Sequence, residues 1–152
     1  MLRSAAGAAL ALALLLLAGC AGTPIVSSYN LVTPPPRLYE LSAAVGGRAV
    51  PVAVTSSPFP GLGPQPLAAI LVGLMPPLCG AHYVPAAAPG ASGMIWSFAA
   101  AQTMTADLAL IAPPRGKLSE MQGEVSGVQT PQDPAFAALV RQMTIAALQP
   151  CL

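Results

Sequence analysis

The feature that most constrains the fold of this chain is an apolar N-terminal run, because it removes that segment from any folded domain. Residues 5–18 are almost entirely alanine and leucine, and Arg3 places a positive charge before them. This arrangement is typical of a secretory signal. The run is shorter than the roughly 20 apolar residues that a membrane-spanning helix needs, and the small pair Ala18-Gly19 leads directly to Cys20. We therefore expect cleavage rather than a membrane span.

The residues Leu17-Ala18-Gly19-Cys20 resemble the lipobox of bacterial lipoproteins. The resemblance implies a signal peptide over residues 1–19, a diacylglyceryl thioether on Cys20, and attachment to a membrane through that lipid. Ala21 lacks the acidic character of the usual inner-membrane retention signal, so the resemblance also implies the periplasmic face of the outer membrane. The alternative is an ordinary secretory signal with a chance cysteine.

The segment after Cys20 is rich in turn-forming residues and ends in Pro34-Pro35-Pro36. Such a proline run is extended and semi-rigid, so residues 20–36 are predicted to be a lipidated tether. Removal of the signal leaves 152 − 19 = 133 residues, which is enough for one domain with a core. We expect residues 37–152 to form that single domain.

Charged residues are scarce, at 7% of the chain against an average of about 25%. Without Arg3 the mature chain has five basic and five acidic residues, so it is neutral. This balance excludes a basic surface for nucleic acid. A surface poor in charge favours contact with a protein partner or with lipid, although the alanine and proline enrichment is equally explained by a coding bias.

Cys79 and Cys151 are the two thiols that remain once Cys20 is lipidated. Export would bring them to an oxidising compartment, where disulfides persist. A bond between them is predicted to close a loop of 151 − 79 = 72 positions, for which loop-closure entropy gives about 4 kcal/mol. The alternative is two buried free thiols, which behave as small hydrophobic side chains.

Alternation of apolar residues with period two predicts the strands of the domain. Pro51 cannot donate to a ladder, so its strand is expected at an edge or at a bulge. Gly123 and Gly127 are expected to mark a second bulge, in the return arm of a hairpin. The predicted strands cover residues 38–42, 50–54, 94–98, 106–110 and 118–128.

Two helices are predicted from proline positions and apolar spacing. Residues 67–75 lie between Pro66 and Pro76 and are apolar on every side, so this helix is expected in the core or, alternatively, docked on a partner or on lipid. Asp133-Pro134 is a typical N-cap and first-turn pair, and it precedes an amphipathic pattern that reaches Pro150. The elements together predict an α+β fold, a small two-layer sandwich with an antiparallel-rich sheet.

Residues with catalytic or metal-binding chemistry are few. Cys79 and His82 have a spacing that supplies two zinc ligands, but a structural zinc site normally needs four, so neither a metal nor a cofactor is expected. Glu120 and Glu124 are expected on the solvated face of a strand. A hydrolase would need a serine and an acid to converge near His82, and the sequence predicts that the protein is not an enzyme.

Three large side chains, Met94, Trp96 and Phe98, alternate along one predicted strand. The first interpretation is that they belong to the core. The alternative is that they form the floor of a cleft for a lipid or a small apolar ligand, covered by the helix over residues 67–75.

A further resemblance covers the eight residues of Pro34-Pro35-Pro36-Arg37-Leu38-Tyr39-Glu40-Leu41. They are similar to the start of the ABC-type transport auxiliary lipoproteins, in which a Pro-x-x-Tyr-x-Leu-like strand opens the periplasmic domain. The resemblance implies an accessory role as a lipid-tethered subunit of an envelope transport system, and it carries over no functional residue beyond Cys20. The sequence therefore predicts a lipid-anchored, non-catalytic accessory or assembly subunit that acts through contacts with an envelope protein partner.

Overall fold

A computed structural model of the chain describes residues 22–31 and 49–151. Several predictions concern residues outside the described ones: the predicted signal over residues 1–19, the predicted lipid on Cys20, the predicted strand over residues 38–42 and the segment over residues 34–41. Those predictions rest on the sequence alone.

Six strands form one mixed sheet. Their order across the sheet is β1-β6-β5-β4-β2-β3. All neighbours are antiparallel except that β2 runs parallel to both β3 and β4. The strands are β1 (Ile25–Asn30), β2 (Ala49–Ser56), β3 (His82–Pro85), β4 (Gly93–Ala100), β5 (Met104–Ala112) and β6 (Gly116–Val125).

Two helices pack on one face of this sheet. Helix α1 covers Pro64–Leu74 and helix α2 covers Pro134–Leu148, followed by a short 3₁₀ turn over Gln149–Cys151. Both helices begin at the end of the sheet where β2 and β6 finish. The architecture is thus the predicted α+β sandwich, with a mainly antiparallel sheet, a short apolar helix and a C-terminal amphipathic helix.

The core lies between the sheet and the two helices. The predicted apolar face of α2 is confirmed, because Phe136, Leu139 and Met143 are fully buried. The sheet approaches α2 closely at Gly123, where an added Cβ would lie 2.7 Å from Met143 Sδ and 2.8 Å from Leu139 Cδ1. A residue without a side chain therefore sets the distance between the two layers.

The predicted tether is wrong over part of its length, because residues 25–30 form strand β1. This strand pairs with β6 in regular antiparallel register, from Ile25 opposite Glu124 to Asn30 opposite Ser119. The ladder of backbone hydrogen bonds with a strand distant in sequence outweighs the local preference of a segment rich in glycine, proline and serine. The domain therefore begins before residue 37.

Strand β2 is interior and contains a bulge, so of the two alternatives that Pro51 predicted, an edge position or a bulge in its strand, the second is confirmed. The pairing with β4 begins at Val52, one residue after Pro51, so the β4 ladder does not include the proline. The outer position belongs to β3, a four-residue strand that the sequence pattern did not predict. A bulge does occur in β2, between Val54 and Ser56.

The hairpin of β5 and β6 is confirmed, but its bulge is not where the glycines suggested. Gly123 is regularly paired with Ala106. The register shift instead lies between two consecutive pairs of β5 and β6. Leu110 is opposite Ser119, whereas the next residue, Ile111, is opposite Lys117. The shift lies near the turn of the hairpin, and a bulge increases the local twist of the strand that contains it.

Neither α1 nor α2 has the length and apolar character required to cross a bilayer, and this finding concerns only the helices in residues 22–31 and 49–151.

Candidate functional site

The two faces of the sheet differ in what covers them. The side chains that point toward the helices are buried, whereas the opposite face, here called the open face, is covered by neither helix. Strand β5 shows the difference within nine residues, since Ala106, Leu108 and Leu110 are buried while Thr105 is exposed and Asp107 is partly exposed. Within residues 22–31 and 49–151, the open face is therefore the broad surface that no helix covers.

A row of polar side chains crosses the open face over five strands. Register places one residue of each strand in this row, and direct neighbours in such a row can contact each other. At one end of the row, the Oγ atoms of Ser56 and Ser97 are 3.1 Å apart. The row consists of Ser27, Gln122, Asp107, Ser97 and Ser56, in the order of the sheet.

The β1 end of this row borders a groove of about 300 Å³ on the open face. Two carboxylates, Asp107 and Glu124, line it together with the hydroxyls of Ser27 and Thr105. Such a groove can accept and donate hydrogen bonds, but it contains no histidine or cysteine that would act as a nucleophile or base. In the described part of the chain, no group of three His, Cys, Asp or Glu side chains is placed to hold a metal ion.

The predicted disulfide is present. Cys79 and Cys151 are bonded, with their Cα atoms 5.8 Å apart and 72 positions between them in sequence. The bond ties the turn after α1 to the end of α2. Because it takes up both sulfurs, neither thiol is available as a zinc ligand or as a nucleophile.

Met94, Trp96 and Phe98 belong to the core, as the first interpretation of the sequence held. Their exposed fractions are 1%, 0% and 3%, and the Phe98 ring packs 5.7 Å from that of Phe136 on α2. The helices cover these side chains directly, so in this structure they are not the floor of an open cleft.

His82 is exposed on β3, at the edge of the sheet opposite β1. The carboxylates of the groove lie three or more strands away, on β5 and β6. A hydrolase site at this groove would need His82 close to Asp107 or Glu124. The fold keeps His82 apart from both carboxylates. Glu124 is exposed and Glu120 lies 3.8 Å from Lys117 Nζ, in agreement with a solvated strand face.

The outer edge of β1 is a second notable surface. Ile25 and Leu31, at its start and just after its end, are 63% and 44% exposed and are the exposed large hydrophobic residues of the described segments. The six residues of β1 include neither a charge nor a proline. Edge strands in soluble proteins are usually protected by one of these, or by being very short, as β3 is.

The described chain starts at Gly22, which is packed against the domain. Its φ of +72° is one that glycine adopts readily, and a Cβ at this position would lie 2.6 Å from the Ser126 carbonyl oxygen and 3.0 Å from Ala135 Cβ. The backbone two residues after Cys20 thus already contacts the end of β6 and the start of α2.

Sequence reasoning missed β1 as part of any site. A signal was present, because β-branched Ile25 and Val26 and the aromatic Tyr29 are residues that favour strands. The proline and glycine residues around them favoured a loop or tether instead. No local signal places Ser27 beside Gln122, since that neighbour is 95 positions away in sequence.

No protein-family model matches this sequence, and no curated protein matches it. A solved structure with a similar fold is that of PelC from Paraburkholderia phytofirmans, described as a dodecamer. The two chains are 14% identical, with a TM-score of 0.52, and the similarity covers 84% of this chain and 98% of the PelC chain. At this identity the similarity concerns the fold alone.

Proposed function

We propose that this protein is a lipid-anchored, non-catalytic subunit of the cell envelope that works through protein contacts at the β1 edge. The anchor is the lipid expected on Cys20, and the periplasmic face of the outer membrane is its expected location. The observation that carries the proposal is the position of β1 at the edge of the sheet formed by the described residues, with Ile25 and Leu31 exposed at the two ends of an uncharged strand.

A partner strand is the occupant that such an edge accepts most readily. The N–H and C=O groups on its outer side, which no strand of the described residues pairs with, can pair with an added strand, and the hydrophobic side chains at its two ends lose contact with water on docking. The low charge of the chain supports the same function, because few charged groups would have to be desolvated.

The first partner to test is a second copy of this chain. The fold neighbour PelC is described as a dodecamer, and we propose self-association for this protein by analogy of fold. Edges β1 and β3 lie at opposite ends of one sheet and run antiparallel to each other, so β1 of one copy and β3 of the next have the right relative direction for antiparallel pairing.

The test is photo-crosslinking in intact cells that make two differently tagged copies of the full chain. A photoreactive residue replaces Ser27 on β1 and, in a matched control, Gln142, which is exposed on α2. We expect a product with both tags from position 27 and none from position 142. A product with another envelope protein would retain the accessory role but contradict self-association, and products confined to one chain would contradict contact at β1 altogether.

A further inference from the structure

We infer that one end of the domain lies directly against the lipid bilayer, with no spacer between them. This inference rests on the proposed lipid at Cys20 and adds to it the surface that faces the membrane. We call that surface the anchor pole. It consists of Gly22 with the loops over residues 57–63, 101–103 and 126–133.

Packing and register bring these segments to one end of the sheet. Gly22 contacts Ser126 and Ala135, as described above. Residues 101–103 turn between β4 and β5, level with the end of β6, since Met104 is paired with Val125. The loop over residues 57–63 is placed by Phe59, whose ring centroid lies 5.2 Å from that of Phe136. Phe136 belongs to the first turn of α2.

The length of chain between lipid and domain is the main argument. Successive Cα atoms are 3.8 Å apart, so Cys20 and Gly22 are separated by at most about 8 Å. The headgroup region on each side of a bilayer is about 5–8 Å thick. Because Gly22 is fixed against the domain, a lipid on Cys20 brings the anchor pole to the headgroups, whereas a tether over residues 20–36 would have held the domain away from them.

The chemistry of the anchor pole suits a neutral contact, meaning one that does not depend on attraction between opposite charges. Among residues 57–63, 101–103 and 126–133, Asp133 is the one with a charged side chain. Its carboxylate already accepts hydrogen bonds from the backbone N–H groups of Gln129 and Thr130, at 2.7 and 2.9 Å. The pole has no basic residue to attract anionic lipid. In this inference the covalent lipid holds the domain at the membrane, and the pole itself contributes no electrostatic attraction to the headgroups. The charged hairpin turn with Arg115 and Lys117 lies at the opposite end of the sheet.

Depth-dependent fluorescence quenching tests this orientation. The full chain is produced in a bacterial host that lipidates exported proteins, and it is reconstituted into phosphatidylcholine vesicles that contain a headgroup spin label. A fluorescent residue replaces Gln132, in the anchor pole, or Gln149, just beyond the other end of α2 and about 22 Å away. Both glutamines are exposed, so they form a matched pair.

We expect quenching at position 132 to exceed that at position 149 at least threefold in protein that floats with the vesicles. Equal quenching at the two positions, or more at position 149, would overturn the orientation while leaving the anchor intact. Protein that carries no lipid and does not float would overturn the anchor and the orientation together. Partial replacement of phosphatidylcholine by anionic phosphatidylglycerol should leave the ratio unchanged, and a marked rise at position 132 would contradict a neutral contact.

An insertion variant tests whether the short connection is the cause. Eight Gly and Ser residues placed between Ala21 and Gly22 give a flexible link of about 16 Å root-mean-square length. Quenching at position 132 should then fall at least twofold. Unchanged quenching would show that the short link does not hold the pole at the membrane and would contradict this inference.

Discussion

Gly123 shows at the scale of one residue how the two layers fit together. It lies in β6, on the face that α2 covers, opposite Ala106 of β5. Small side chains at both positions allow Leu139 and Met143 to reach the sheet backbone. The sequence predicted a special role for this glycine, but it assigned a bulge, since only the position of α2 reveals the close approach.

Replacement of Gly123 by Ala should destabilise the domain. Overpacking costs about 1–3 kcal/mol and outweighs the roughly 0.5–1 kcal/mol that Ala gains over Gly in a regular strand. The matched control is Gly73→Ala in α1, where nothing lies within 4 Å of an added Cβ, so a gain of up to about 1 kcal/mol is expected. Urea denaturation measures the free energy of unfolding of both variants. Equal changes of the same sign in the two variants would contradict the close approach at Gly123.

The side chain of Asp133 does not cap helix α2, although the sequence predicted that it would. It is the N-cap residue of α2 and Pro134 follows it, as the sequence indicated, but its side chain makes no capping hydrogen bond. The carboxylate turns back to the N–H groups of Gln129 and Thr130, and these two hydrogen bonds lower the pKa of Asp133. The same acceptor therefore stabilises the preceding loop and not the helix itself.

Because the pKa of Asp133 is lower in the folded protein, its contribution to the free energy of unfolding depends on pH in a defined direction. It is fully present above the unfolded pKa of about 3.9 and is lost as the pH falls through the lower folded value. Between pH 6 and pH 2, wild type should therefore lose stability relative to Asp133→Asn, which does not titrate. Urea midpoints at each pH measure the difference, and two parallel profiles would contradict the assignment.

At the scale of elements, the disulfide joins the turn after α1 to the end of α2. Cys79 and Gly80 both have positive φ, 57° and 70°, in a tight turn closed by the Ala81 N–H and the Leu78 carbonyl at 2.9 Å. Helix α1 has three buried residues, Leu67, Ala68 and Leu71, whereas α2 has seven. The bond thus holds the less buried helix to the more buried one.

Loss of this bond should lower stability by about 4 kcal/mol, the loop-closure value for a 72-position loop. The variant Cys79→Ala with Cys151→Ala is compared with wild type in a chain that starts at residue 22 and so lacks Cys20. Each single variant should match the double variant, because either one removes the whole bond. Urea denaturation of the oxidised proteins gives the difference, and a loss below about 1 kcal/mol would contradict a stabilising role.

Elements with a strong local pattern could be predicted from the sequence, and elements defined by distant partners could not. Helix α2 and the β5–β6 hairpin follow from spacing within 15 and 22 consecutive residues, respectively. Strand β1 depends on β6, about 95 positions away, and four-residue β3 is too short to show a period. The open face and its groove were missed for the same reason, since register across β1, β6 and β5 creates them.

At the scale of the whole molecule, the domain has two distinct environments. The anchor pole has one charged side chain, that of Asp133, and begins two residues after Cys20 in sequence, while the β1 edge and the open face extend away from it along the sheet. In the proposed arrangement the lipid fixes the pole at the bilayer and leaves the edge free for a neighbouring protein in the plane of the membrane. In this proposal the anchor sets both the location of the domain and its orientation toward partners.

The lipid on Cys20 is the central claim, and the intact mass of the mature protein tests it most directly. Wild type extracted from the membranes of a bacterial host should have the mass of residues 20–152 plus a diacylglyceryl group, with or without a further acyl chain. Cys20→Ala should be unprocessed or lost from the membrane-bound fraction. A wild-type chain that is soluble and carries an unmodified Cys20 would contradict the account.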